Sequence, residues 1–279
     1  MALTNCPLKT FFAQAADVLS VFAIFARQKE IIMKKTLILL VAAMAMCGCT
    51  INFDGFSFSG NKVRCGGEVI EKKMDLAGFD EIKLEGAAKV VFAQADSFLV
   101  SVKANEEVFD YIDFQVNGNE LLLSTKNHVN ILAKTYVITV NAPLLKDISV
   151  SGAADMDVLD GYKSEQPVNI AINGAGDLNL VDIAVPSMTM VINGAADLDL
   201  TDSNIPELSV TVNGAGDLDI DNIVADAIDI TVRGAGDVSI SGKAGEADFR
   251  VSGAGSVDAH GLDCENITTA KHGAASIKL

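Results

Sequence analysis

The chain has 279 residues, 49% of them apolar, with 6% aromatics, no Trp, 23 Gly and only five Pro. That suits one large β domain or two small ones, packed by aliphatic and small side chains and rich in tight turns. A formal net charge of −16 excludes the basic face that nucleic-acid binding requires. The acidity has two readings, solubility through self-repulsion and cation binding along an acidic surface.

The first segment with a clear pattern is Met33–Cys49, MKKTLILLVAAMAMCGC. Lys34 and Lys35 form a basic start, and an apolar run follows from Leu37 to Met46. Small residues and a Cys come next, the order of a secretory signal. The apolar run is too short for a permanent bilayer span. Gly48-Cys49 resembles a bacterial lipobox, which implies cleavage before Cys49 and lipid attachment to it. Met46 stands where that motif more often has Leu; cleavage nearby without lipid, or acylation at Cys47, are the alternatives. A signal belongs at an N-terminus, so residues 1–32 read as a mis-assigned upstream start, with a genuine hydrophobic helix as the rival, 33–48 as the signal and 49–65 as a tether. The Gly, Ser and Asn of INFDGFSFSGNK support the tether.

Residues 66–145 are β-rich but irregular, with EIKLEG, FLVSVKA, ELLLST and TYVITVNAP as strand candidates. EEVFDYI (106–112) reads as a short helical turn. They are expected to form irregular rungs of the same stack as residues 146–279, so that 66–279 is one domain.

From residue 146 one motif recurs. ISVSGAADMDV, IAINGAGDLNL, MVINGAADLDL, VTVNGAGDLDI and ITVRGAGDVSI are followed by the looser FRVSGAGSVDA and AKHGAASIKL. The leading glycines are Gly152, Gly174, Gly194, Gly214, Gly234, Gly253 and Gly273, at spacings of 22, 20, 20, 20, 19 and 20. An isolated earlier copy, IKLEGAAKVVF, has Gly86. A period near twenty suits one turn of a β-solenoid. The flanks alternate apolar and polar, as half-buried strands do. Each copy is therefore strand, Gly-rich corner, strand. The predicted fold is all-β, a single-chain parallel β-helix-like solenoid. Rungs about 4.8 Å apart would make seven turns a rod of roughly 34 Å. Glycine suits the corner because it accepts positive φ and lets neighbouring corners approach.

Two polar columns accompany the corners. Asp155, Asp177, Asp197, Asp217 and Asp237 follow them, and Ser256 and Ser276 replace Asp in the last copies. Such a residue can accept a neighbouring amide proton and cap the turn, and exchange with Ser fits that role. The rival is a calcium ladder, since calcium takes six to eight oxygens; calcium is the only cofactor the pattern suggests. Asn173, Asn193 and Asn213 form the second column, where stacked amides can bond to one another or offer a polar ribbon to sugars.

No catalytic residues are expected. His128, His260 and His272 lack metal-ligand spacing, and no nucleophile motif is present. The carboxylates recur from rung to rung instead of forming the distinct pair a glycosidase needs. Cys65 and Cys264 lie far apart in the chain, which favours two unbridged thiols.

Residues 138–158, ITVNAPLLKDISVSGAADMDV, and the repeated INGAGDL corners resemble the auto-transporter adhesin head domain known as the GIN domain. It is a domain of unknown function common in lipoproteins of Bacteroides-like bacteria, and the resemblance spans roughly residues 75–279. It implies a β-helix-like solenoid on an exported protein and supplies no catalytic residues. The expected function is a non-enzymatic, lipid-anchored adhesion or interaction module of the outer membrane or cell surface. Its partners would be the membrane, a host or environmental glycan or a matrix protein, and another copy through the solenoid ends. The alternatives are a structural envelope spacer or assembly component and, further off, a carbohydrate-active enzyme.

Overall fold

The structure, a computed structural model, describes residues 62–159 and 161–279. The signal, Cys49 and the tether up to residue 61 lie outside the described residues.

The N-terminal part holds β1 (Lys62–Cys65), β2 (Val69–Met74), β3 (Glu81–Gln94), β4 (Leu99–Asn105), β5 (Ile112–Asn117), β6 (Glu120–Thr125), β7 (Asn130–Ala133) and β8 (Tyr136–Ala142). The regular part holds β9 (Asp147–Leu159), β10 (Tyr162–Lys163), β11 (Val168–Val181), β12 (Ile183–Ala184), β13 (Ser187–Thr201), β14 (Glu207–Ala215), β15 (Leu218–Gly234), β16 (Asp237–Gly253), β17 (Ser256–Gly273) and β18 (Ser276–Lys278). Glu106–Asp110 forms a 3-10 turn, where the sequence has EEVFD.

From β9 onward the strands pair in parallel with the repeat in register. Gly174 stands beside Gly152 on one side and Gly194 on the other. The solenoid has about six turns.

The alternating flanks point inward as aliphatic ladders. One ladder runs Val150, Ile172, Ile192, Val212, Val232 and Val251, and none of them is more than 4% exposed. A parallel ladder on the far side of the corner runs Met156, Leu178, Leu198, Leu218, Val238 and Val257, all buried. Each fully buried side chain of this size contributes roughly 1.5–3 kcal/mol. A lone rung has no neighbour to cover these faces, so the stack folds as a unit.

Each turn also has a short third side that the repeat motif does not announce. It carries Val185, Ile205 and Ala225 inward, and Ala184, Asn204 and Val224 pair across rungs there. The corner leading into it is formed by Asp182, Asp202 and Asn222 at φ 53°, 52° and 56°. Asp and Asn are the non-glycine residues that tolerate this left-handed region best. Asn222 Nδ2 donates to Asp202 Oδ1 at 2.7 Å, linking successive corners.

The irregular rungs expected over 66–145 take a different form. The Gly86 copy in β3 is a true rung, paired in register with β9 from Glu81↔Asp147 to Ala93↔Leu159. On its other side β3 pairs in parallel with β6 and β8. Chain order and stacking order therefore differ, since β3 lies between a rung that follows it and the first regular rung. Beyond β8 come β4 and then β2, both antiparallel. Strand pairing reaches into the expected tether, where Lys62–Cys65 pairs with β7. Outermost β2 carries Glu71, Lys72 and Lys73, and such charges discourage pairing of an edge strand with another chain.

At the far end the core columns turn polar. Thr269 stands beside Phe249 and Lys271 beside Val251. Cys65 and Cys264 are both free thiols, and burial is the first cause that pushes the Cys65 thiol up.

Candidate functional site

The corner glycines sit so close that their backbones touch. A Cβ on Gly174 would lie 1.9 Å from the Gly152 carbonyl oxygen, and one on Gly194 or Gly234 would meet the preceding corner at the same distance. Those oxygens are acceptors. Ala235 N donates to Gly214 O, Ala254 N to Gly234 O and Ala274 N to Gly253 O, each at 2.9 Å. The columns of Gly152, Gly214, Gly253 and Gly273 continue the same contact.

The Asp column runs beside these corners. Asp197 Oδ1 accepts the amide of Asp217 at 3.1 Å, and Asp217 Oδ1 accepts that of Asp237 at 3.1 Å. Asp237 Oδ1 accepts both the amide and the hydroxyl of Ser256, at 3.0 and 2.7 Å. Each carboxylate thus fastens the next rung's corner. Asp177 stands beside Asp197 in the same column, and Asp155 pairs in register with Lys89 of β3. The carboxylates line up in file and do not converge. Among the described residues no group of three or more His, Cys, Asp or Glu is placed to hold a metal ion.

The Asn column is a hydrogen-bonded ladder. Asn193 Nδ2 donates to Asn173 Oδ1, and Asn213 Nδ2 to Asn193 Oδ1, both at 2.9 Å. Arg233 Nη1 ends the ladder on Asn213 Oδ1 at 3.3 Å. His260 meets one acid, Asp258, with Nδ1 at 2.8 Å from Oδ1, and that contact holds the Asp258 carboxyl below its ordinary range.

Charge is unevenly distributed. Residues 147–279 hold 22 acidic and six basic residues, against 15 of each in residues 1–146, so the whole net charge of −16 falls on the regular rungs. The strand face after the Gly corner carries much of it. There Asp219 feels its own desolvation first, then the like charges of Asp199, Asp221, Asp217 and Asp197, which together raise its carboxyl above the usual range.

The sequence reasoning missed two features. The Asp182, Asp202 and Asn222 corner was legible as acid or amide at a period of twenty, though the stronger Gly signal masked it. A polar groove crosses five rungs on the strand face before the Gly corner; no motif marks it.

Stacked rungs, glycine corners and internally bonded polar ladders define an all-β repeat scaffold of the adhesin-head type. The chain belongs to the family described as "putative auto-transporter adhesin, head GIN domain", whose model matches residues 78–241 and 201–279. The fold is similar to the crystal structure of a putative adhesin from Bacteroides fragilis, with a TM-score of 0.69 at 19% identity, over 77% of this chain and 99% of that one. A putative adhesin from Parabacteroides distasonis gives 0.67 at 17% identity, over 78% and 100%. A protein from the same organism named a putative lipid binding protein gives 0.57 at 20% identity, over 78% and 99%. At these identities the likeness concerns the fold. Among curated proteins, none matches the chain.

Proposed function

We propose that this protein is an exported, lipid-anchored, non-enzymatic interaction module of the cell envelope, attached through Cys49 and adhering to a glycan or matrix protein. The observation that carries this reading is the regularity of the outer faces. Their side chains repeat from rung to rung, a surface suited to many weak contacts in parallel. Membership of a family named for adhesin heads supports it, as does the signal at Met33–Cys49. In this reading residues 33–48 are removed, 49–61 tether the rod, and a lipid at Cys49 holds it at the membrane; two or more acyl chains give stable residence.

The test has two arms. Labelled fatty acid should enter the wild-type protein and not Cys49→Ala, and the intact protein should bind glycan or matrix surfaces saturably. Unlabelled wild-type protein would remove the anchor from the proposal. Failure to bind any surface would remove adhesion.

A structural spacer is the second reading. It is favoured by the Asn ladder, whose amides bond to one another along the stack and offer less to a ligand. A spacer should co-purify with envelope partners and bind no glycan or matrix surface.

A further inference from the structure

The polar groove has a volume of about 520 Å³ and runs across rungs beginning near Ser187, Glu207, Ala227, Glu246 and Asn266. It crosses the strands and so follows the axis of the stack. Five rungs at about 4.8 Å spacing give it a length of roughly 19 Å. A shape this long and narrow suits a linear polymer, and the rung spacing is close to the length of one pyranose residue.

Its lining decides the chemistry. Thr189 and Ser209 bring hydroxyls, and Asp229 and Asp248 bring carboxylates. Arg250 holds both acids from one side. Its Nη1 donates to Asp229 Oδ2 at 2.7 Å and its Nη2 to Asp248 Oδ2. The clamp fixes two carboxylates on neighbouring rungs, since Asp229 pairs with Asp248 in register. It leaves the other oxygens unsatisfied. Asp229 Oδ1 receives only a long contact of 3.4 Å from Thr231 Oγ1, and Asp248 Oδ1 is buried with no hydrogen-bond partner. Asp248 Oδ1 is closed off from the groove, so Asp229, whose side chain is 46% exposed, is the carboxylate that a donor-bearing ligand can reach. Glu207 and Glu246 add negative charge, which repels polyanions.

We propose that this groove binds a linear glycan of neutral or amino sugars, lying along the stack with about one sugar per rung. Asp229 accepts its hydroxyl or ammonium protons, and Arg250, bridged to Asp248, positions that acid. The inference rests on the adhesion reading and adds to it the site and the ligand class. Binding proceeds by hydrogen bonds without an aromatic platform, so each subsite is weak and affinity accumulates with chain length.

The test uses the full-length protein against neutral gluco-oligosaccharides and chitosan oligomers from dimer to octamer, with heparin and polylysine as charged controls. Affinity should rise with length and level off at about five units, the number of rungs crossed. Ser209→Tyr, which fills the middle of the groove, and Asp229→Asn should each weaken binding roughly tenfold with unchanged melting curves. Asp199→Asn, on a different face, should bind as wild type. Unchanged binding in both groove variants, affinity independent of length, or binding to heparin or polylysine alone would overturn the proposal. A protein that adheres to a matrix protein and to none of these sugars would overturn the groove ligand and leave the adhesion reading standing.

Discussion

Gly194 lies against Gly174 so closely that a Cβ on Gly194 would stand 1.9 Å from the Gly174 carbonyl oxygen. Gly194 also has φ 143°, a region that side chains rarely enter. Gly194→Val should therefore cost at least about 3 kcal/mol through clash and strain together. That corresponds to a fall of roughly 6–12 °C in the thermal midpoint, readable by circular dichroism. Gly86 provides the control, because its φ is 120° but a Cβ there meets nothing within 4 Å. Gly86→Val should cost clearly less, and equal losses would show that backbone strain, not stacking, demands the glycine.

The Asn ladder should be worth a modest amount because it is exposed. Asn193→Ala removes the bonds to both Asn173 and Asn213. The expected loss is about 0.5–1 kcal/mol, measured by urea unfolding. Asn173→Ala, which removes one bond, should cost about half as much.

Asp219 is a site where removing charge should help. Burial and the surrounding aspartates raise its folded pKa, so in the folded state the ionised form is disfavoured. The penalty is present in full above the folded pKa and fades as pH falls toward the unfolded value. Asp219→Asn should raise the midpoint at neutral pH by about 1–2 °C. The gain should shrink at high salt, where like-charge repulsion is screened, and disappear at acid pH.

The Asp80–Lys146 pair has the opposite sign. Its Oδ2 and Nζ lie 2.5 Å apart, and the Lys146 hydrogen bond is the first cause that lowers the Asp80 carboxyl. A lowered folded pKa gives stability that is present above the unfolded value and lost as pH falls through the folded one. Lys146→Met should lower the midpoint at pH 7 by no more than about 2 °C, since the pair is partly exposed. The difference from wild type should close in acid; a difference that persists there would assign the effect to packing of the lysine stem.

Much of this architecture was legible because the repeat is both local and strict. Val150 and Met156 flank Gly152 at fixed offsets, and their counterparts in the following rungs keep the same offsets. Alternation fixed the inward face and the period fixed the register. The third side was less legible, since two inward residues per turn, such as Ile183 and Val185, make too short a run to show a period. The groove was illegible for another reason. Thr189, Ser209, Asp229 and Asp248 occupy one outward column but are chemically unlike, so no motif joins them until the rungs are stacked.

The sequence by itself determined the all-β class, the rung length, the core ladders from Ile148 to Ala259 and the glycine corners, because each depends on spacing within one or two turns. Only the tertiary structure decided the order of stacking at the N-terminal end. There β3 sits between the β6–β8 rung and β9, with Gly86 against Gly152 across a separation of 66 residues. Strand pairing in register is satisfied equally by neighbours near or far in the chain. The sequence states which edges match, and the folded packing alone selects which matching edge is covered first.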